Sequence, residues 1–164
     1  MQEQKLVVVT NDGVDIKPLR PALESLIANQ DKVLIEFKSP SQLQSLQSVE
    51  IGTANWLFLY EDLADVLYRK LMQSPQSDTD KRVQTWVQET QLLQDGYWAY
   101  SQSALLLNAH DACNDLSAFL QACSDKWGLV SVGSGFSVDT PERKSASTLF
   151  QWIAPELITQ DQTL

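Results

Sequence analysis

Residues 55–60 read NWLFLY, and the acidic pair Glu61-Asp62 follows at once. A strand with one wet face alternates apolar and polar residues, whereas a run that is apolar almost throughout belongs to a strand covered on both faces. These six residues therefore predict a sheet sandwiched between helices. Asp62 then opens a helix on which Leu63, Val66, Leu67 and Leu71 share one face.

The same signal recurs on either side. Residues 5–10 (KLVVVT) are a short β-branched run closed by Asn11-Asp12-Gly13, the punctuation of a strand entering a turn. Lys32 to Phe37 (KVLIEF) repeats it, and Ala104 to Asn108 (ALLLN) reads as a fourth buried strand. Between the first two, Leu19, Leu23, Leu26 and Ile27 recur at helical spacing, with Pro21 where a first-turn proline is tolerated, predicting a helix that ends near Asn29. Pro40-Ser41 opens a second helix carrying Leu43, Leu46 and Val49. The string SPQSDTD at 74–80 reads as a loop, with Asp80 capping a long helix that runs to about Ser101. Its stripe is Val83, Trp86, Val87, Thr90, Leu93, Tyr97 and Tyr100, and Gly96 is expected to break or kink its last turn. A further helix bears Leu116, Phe119, Leu120, Cys123 and Trp127, with Gly128 placed for a left-handed cap. Val130 to Arg143 reads as a loop with room for a short strand, Ala146 to Ile153 as a last helix, and 154–164 as a frayed tail.

Strands alternating with helices pair in parallel through right-handed crossovers. The expected fold is a single α/β domain over residues 1–164, a three-layer α/β/α arrangement around a mainly parallel sheet of four to five strands. The length suits one core. With a formal charge of -9 the long-range field repels phosphate backbones and anionic lipid, so neither nucleic acid nor membrane is expected as a partner. Arg69-Lys70, Lys81-Arg82 and Arg143-Lys144 read as solvated helix and loop faces. No run approaches the ~18–20 apolar residues that span a bilayer, and Leu6 to Val9 is too short for a signal-peptide core, so a cytoplasmic location is expected. Cys113 and Cys123 match no zinc or redox spacing and read as buried free thiols within one helical stretch.

In a sheet of this kind ligands sit beyond the carboxyl ends of the strands, here the segments after Thr10, Phe37, Tyr60 and Asn108. The candidate ligand-binding residues are accordingly Asn11, Asp12, Gly13, Lys17, Lys38, Ser39, Glu61, Asp62 and His110. No catalytic residue and no metal-ligand set is assigned. His110 is the sole histidine, which excludes a histidine-based metal cluster or a histidine pair and leaves a structural role. No Gly-x-Ser-x-Gly elbow occurs, Gly133-Ser134-Gly135 being the nearest string. The loop after the first strand holds one glycine, and Asp12 there would oppose a phosphate by about 1 kcal/mol per charge pair in water and more in a cleft. Thr10-Asn11-Asp12-Gly13 also resembles the opening of the stationary-phase survival nucleotidases, whose metal-binding loop has paired aspartates where this chain has one.

Three segments in order carry a broader likeness: Leu34-Ile35-Glu36-Phe37-Lys38-Ser39-Pro40, then Trp56 to Leu67, then Leu105 to Leu129. Their order and phasing resemble the P-loop sulfotransferases, in which a strand ends in Lys-Ser/Thr-Pro and the next in Arg-Asp-Pro followed by a helix. A later helix of that family closes on Phe-Leu-Gly-Leu, which Lys126-Trp127-Gly128-Leu129 resembles. The resemblance implies a P-loop-like topology. It also shows departures: the 5′-phosphate loop keeps only Gly13 and a displaced Lys17, the 3′-phosphate arginine falls on Glu61, and its supporting serine falls near Tyr68. Lys38 and Ser39 match, but the segment joining the first strand to Lys38 is shorter than in the family.

The expectation is a sulfotransferase-like domain that has lost donor binding and acts as a non-catalytic binding or accessory protein, needing no cofactor. Its partner would be a protein or a small ligand, with a homodimer among the possibilities. One alternative is an active sulfuryl- or phosphoryl-transferase whose anion site is rebuilt around Lys38 with Lys17 or Arg20, for which the nucleotides are 3′-phosphoadenosine 5′-phosphosulfate (PAPS) and its product PAP. Another is an assembly protein that uses an exposed aromatic patch drawn from Trp86, Trp98, Trp127 and Trp152.

Overall fold

The structure, a computed structural model, describes residues 4–11, 14–28, 31–45, 54–76 and 78–132. Asp12, Gly13, Leu46, Val49, Trp152, the helix expected at Ala146 to Ile153 and the tail at 154–164 lie outside the described residues.

Four parallel strands form the main sheet: β1 (Lys5–Thr10), β4 (Leu34–Lys38), β5 (Ala54–Tyr60) and β6 (Ala104–Asn108), in the spatial order β4-β1-β5-β6. The two central strands are covered on both faces: Leu6 to Val9 and Trp56 to Leu59 are all buried. The outer strands are only half covered, with Leu34 and Phe37 of β4 exposed and Leu105 to Leu107 of β6 partly so; β6 is thus an edge strand, not the fully buried one its composition suggests.

Because successive side chains point to opposite faces, each strand serves two cores. Leu6, Val8, Leu57 and Leu59 pack beneath α1 (Arg20–Glu24), α4 (Ala109–Asn114) and α5 (Leu116–Trp127). Val7, Val9, Trp56 and Phe58 pack on the other face against Leu93 of α3 (Thr79–Ala99) and Leu43 of the 3-10 turn Pro40–Ser45. A third cluster joins α2 (Leu63–Gln73) to α3 through Leu63, Leu67, Val83 and Trp86. The result is the expected α/β/α sandwich. β1 feeds outward to β4 and β5 feeds the other way to β6, so the direction of winding reverses between β1 and β5.

Several local expectations are revised. The helix after Pro18 stops at Glu24, and Leu26–Ala28 is a strand, β2, paired antiparallel with β3 (Asp31–Lys32) and with β7 (Val130–Ser131). Ser25 makes the break: its hydroxyl bonds the Ala22 carbonyl at 2.6 Å and the Ser131 hydroxyl at 2.7 Å, diverting the chain into a small second sheet. Lys32 to Phe37 is accordingly split at Val33 between two sheets. Asp78 rather than Asp80 caps α3, accepting from the Lys81 amide at 3.2 Å. Cys113 and Cys123, both buried and not joined to each other, lie on two helices separated at Asp115. Burial pushes the Cys123 thiol up to about 12, which leaves it inert. Gly128 is the left-handed cap anticipated, at φ 70°.

Gly96 does not break α3. A Cβ there would stand 2.9 Å from Phe58 Cε1 and 3.1 Å from Leu43 Cδ1, so the absent side chain is what lets the helix lie on the sheet. Gly96→Ala gains about 1 kcal/mol of helix propensity and costs about 1–3 kcal/mol of overpacking against a buried ring. The expected result is a lower urea midpoint than wild type; a higher one would show that α3 does not rest on Phe58.

Candidate functional site

The reversal of winding between β1 and β5 opens a crevice at their carboxyl ends, and Glu61 fills its floor. This carboxylate is 0% exposed. Its Oε1 accepts from the Asp15 amide at 3.0 Å, its Oε2 pairs with the Arg69 guanidinium, and its backbone carbonyl accepts from Trp86 Nε1 at 3.0 Å. The loop after β1, the end of β5, the second turn of α2 and the first half of α3 therefore meet on one residue. Arg69, read from sequence as part of a solvated face, is instead the counterion of a buried acid. Glu61 is not an open negative charge in a cleft, and its neutralisation changes what the crevice can hold.

Beside this junction, between α3 and the ends of β5 and β6, is a cavity of about 200 Å³. Tyr60, Trp86, Leu93 and Leu106 make its apolar walls, and Asp62, Thr90 and Gln94 its polar ones. Asp62 occupies the N-cap position of α2 but makes no capping hydrogen bond. Its Oδ1 accepts instead from Asn108 Nδ2 at 3.0 Å. Asn108 can only offer that amide because its Oδ1 is taken by the His110 and Asp111 amides, at 2.8 and 3.3 Å, where it caps α4. Burial raises the Asp62 carboxyl above its ordinary range, the Asn108 hydrogen bond opposes the rise, Asp111 adds to it and His110 offsets it. Thr90 accepts from Asn11 Nδ2 at 2.8 Å, and Asn11, 2% exposed, keeps an Oδ1 with no hydrogen-bond partner among the described residues.

The candidate residues thus separate into two groups. Asn11, Glu61, Asp62 and buried His110 gather around the crevice and cavity. The cations do not. Lys38 pairs with Glu36 at 2.8 Å, and Lys5 pairs with the same carboxylate, so that Lys38 first and Lys5 second hold Glu36 below the usual range. Arg20 lies over the Phe37 ring, 4.6 Å from its centroid. Phe37 and Lys38 are successive on a strand, so Arg20 and Lys38 sit on opposite faces of the sheet. Lys17 is exposed on the 3-10 turn Lys17–Leu19. Ser39 is exposed as well, its amide donating to Gln42 Oε1 at 2.8 Å and its hydroxyl 3.1 Å from that of Ser41. Of the tryptophans expected to form a patch that are among the described residues, Trp86 is buried, Trp127 is half-buried with Nε1 donating to the Ser103 carbonyl, and Trp98 is open, at 73%. Thr90 and Gln94 were missed because α3 reads as core by period, and nothing local says which turn of it crosses the strand ends; Tyr60 and Asn108 were read only as the last residues of their strands.

No protein-family model matches the sequence, and no curated protein matches it either. Among the described residues no group of histidine, cysteine and acidic side chains is arranged to hold a metal ion, and no helix is long and apolar enough to cross a membrane.

Two measurements test this geometry. Arg69→Met strands a buried carboxylate, so stability should fall by about 3–5 kcal/mol in urea denaturation, and adding Glu61→Gln should recover part of it. No recovery in the double variant would sink the pairing. For Asp62 the folded carboxyl binds its proton more tightly than the unfolded one, so its ionisation costs stability as pH rises above the ordinary value of 3.8 and the cost persists above the folded pKa. Asp62→Asn keeps the acceptor for Asn108 and should stabilise the protein at neutral pH, the gain vanishing as pH falls below 3.8. A variant less stable than wild type at neutral pH would contradict the buried position of this acid.

Proposed function

We propose that this is a non-catalytic, small-ligand-binding domain, cytoplasmic in location, whose site is the cavity at the ends of β5 and β6 and whose ligand is a small organic amine. The observation that carries the proposal is the position of Asp62: a partly buried carboxylate, diverted from helix capping, facing a cavity with aromatic walls. A protonated amine is the natural complement of such a group, because it restores the ionised carboxylate and sets its own charge against the faces of Trp86 and Tyr60. At about 200 Å³ the cavity admits a ring-sized body and little more.

The proposal retains the sulfotransferase-like resemblance without donor binding. In its favour, Lys38 ends β4 with Ser39-Pro40 after it, and Glu61-Asp62 directly follows β5, the places where that family keeps its donor motifs. Against donor binding, two of the three cations named for a rebuilt anion site are held elsewhere, Lys38 by Glu36 and Arg20 by Phe37, and Lys17 stands exposed on the turn before α1.

Benzylamine observed by ligand-detected NMR should bind the wild type, bind more weakly as pH falls and Asp62 protonates, and lose at least about tenfold in affinity in Asp62→Asn. In calorimetry, any heat from adenosine 3′,5′-bisphosphate should be the same for wild type and Lys38→Ala. Micromolar binding abolished by Lys38→Ala would overturn the proposal and favour a transferase centred on that lysine.

A further inference from the structure

Away from the strand ends, α2 and the first turns of α3 enclose a second cavity, about 390 Å³, nearly twice the volume of the first. Its charge is of the opposite sense. Lys70, Lys81 and Arg82 line it against Asp78 and Glu89, three cations to two acids in a chain whose net charge is -9. The Asp78 carboxylate is already engaged in capping α3 through the Lys81 amide. Lys81 and Arg82 make no ion pair among the described residues. The Arg82 Nε is buried and has no hydrogen-bond partner there.

A buried guanidinium N–H without an acceptor is costly, and native proteins leave few such groups unexplained. The missing partner of the Arg82 Nε must accept hydrogen bonds and carry negative charge, and the Lys81 ammonium beside it adds a flexible donor. A tetrahedral oxyanion answers both: two of its oxygens meet the guanidinium while a third takes Lys81. Thr85, Val66 and the Trp86 side chain complete the lining, the last two supplying its apolar surface. We infer that the groove between α2 and α3 binds a small phosphate monoester, its phosphate on Arg82 and Lys81 and its organic body against Trp86 and Val66. This site shares the Trp86 side chain with the amine cavity but none of its charged groups, and Lys38 lines neither.

Phenyl phosphate is the probe, titrated by calorimetry at low salt, with inorganic phosphate and phenol as the separate halves. Phenyl phosphate should bind in the submillimolar range and more tightly than either half, and Arg82→Gln or Lys81→Gln should each weaken it by about tenfold. Asp62→Asn and Lys38→Ala should leave that binding unchanged, which separates this site from the first. Equal binding of inorganic phosphate would overturn the organic part of the assignment. No binding to about 10 mM, or binding indifferent to Arg82→Gln and Lys81→Gln, would overturn the whole. Arg82→Met supplies a check without ligand: because the guanidinium is unsatisfied in the free protein, the melting temperature should hold or rise. A fall of more than about 5 °C would mean that Arg82 is already satisfied within the fold, and the site would be lost with it.

Discussion

The pairing of Glu61 with Arg69 is the contact on which the upper half of the molecule depends. A carboxylate buried at the end of a central strand costs several kcal/mol unless its lone pairs and charge are met. Here the charge is met by α2 and one oxygen by the backbone of the loop after β1, while the main-chain carbonyl of the same residue holds the Trp86 indole of α3. Glu61 therefore fixes where α3 crosses the strand ends, and with it the positions of Thr90 and Gln94 over the cavity. Remove the pair and the roof loses its register as well as its counterion.

Much of the sheet was legible because burial on both faces leaves an unambiguous trace. KLVVVT and NWLFLY admit no wet face, and they are the two central strands. The small second sheet left no such trace. Leu26–Ala28 continues a helical stripe, and Leu26 and Ala28 are indeed buried, but its strand conformation is imposed by pairing with Val130–Ser131 more than a hundred residues away. Local period cannot report a partner that distant. The site shows the same division. Asn11, Glu61, Asp62 and His110 follow from strand ends alone, whereas the state of each needs its neighbours: Arg69, two helical turns along from Glu61, converts an apparent charge inversion into a neutral pair.

The distribution of charge then separates this domain from an anion-binding doubly wound fold. Such proteins leave backbone amides and cations open at the reversal of winding. In this chain the amide of Asp15 is given to Glu61 and that of Ser39 to Gln42, while Lys38 is paired with Glu36 and Arg20 stacked on Phe37. What stays available at the strand ends is acceptor capacity, on Asp62 and Asn11. Donor capacity has moved to the groove between α2 and α3, where the Arg82 Nε lacks an acceptor.

Trp86 lines both cavities, and its indole N–H is committed to Glu61. At 3% exposed and packed with Leu63, Val66 and Leu67, the ring is a fixed wall of both spaces. Because Glu61 holds that indole and is itself held by Arg69, the buried pair that positions α3 also positions the wall the two cavities share.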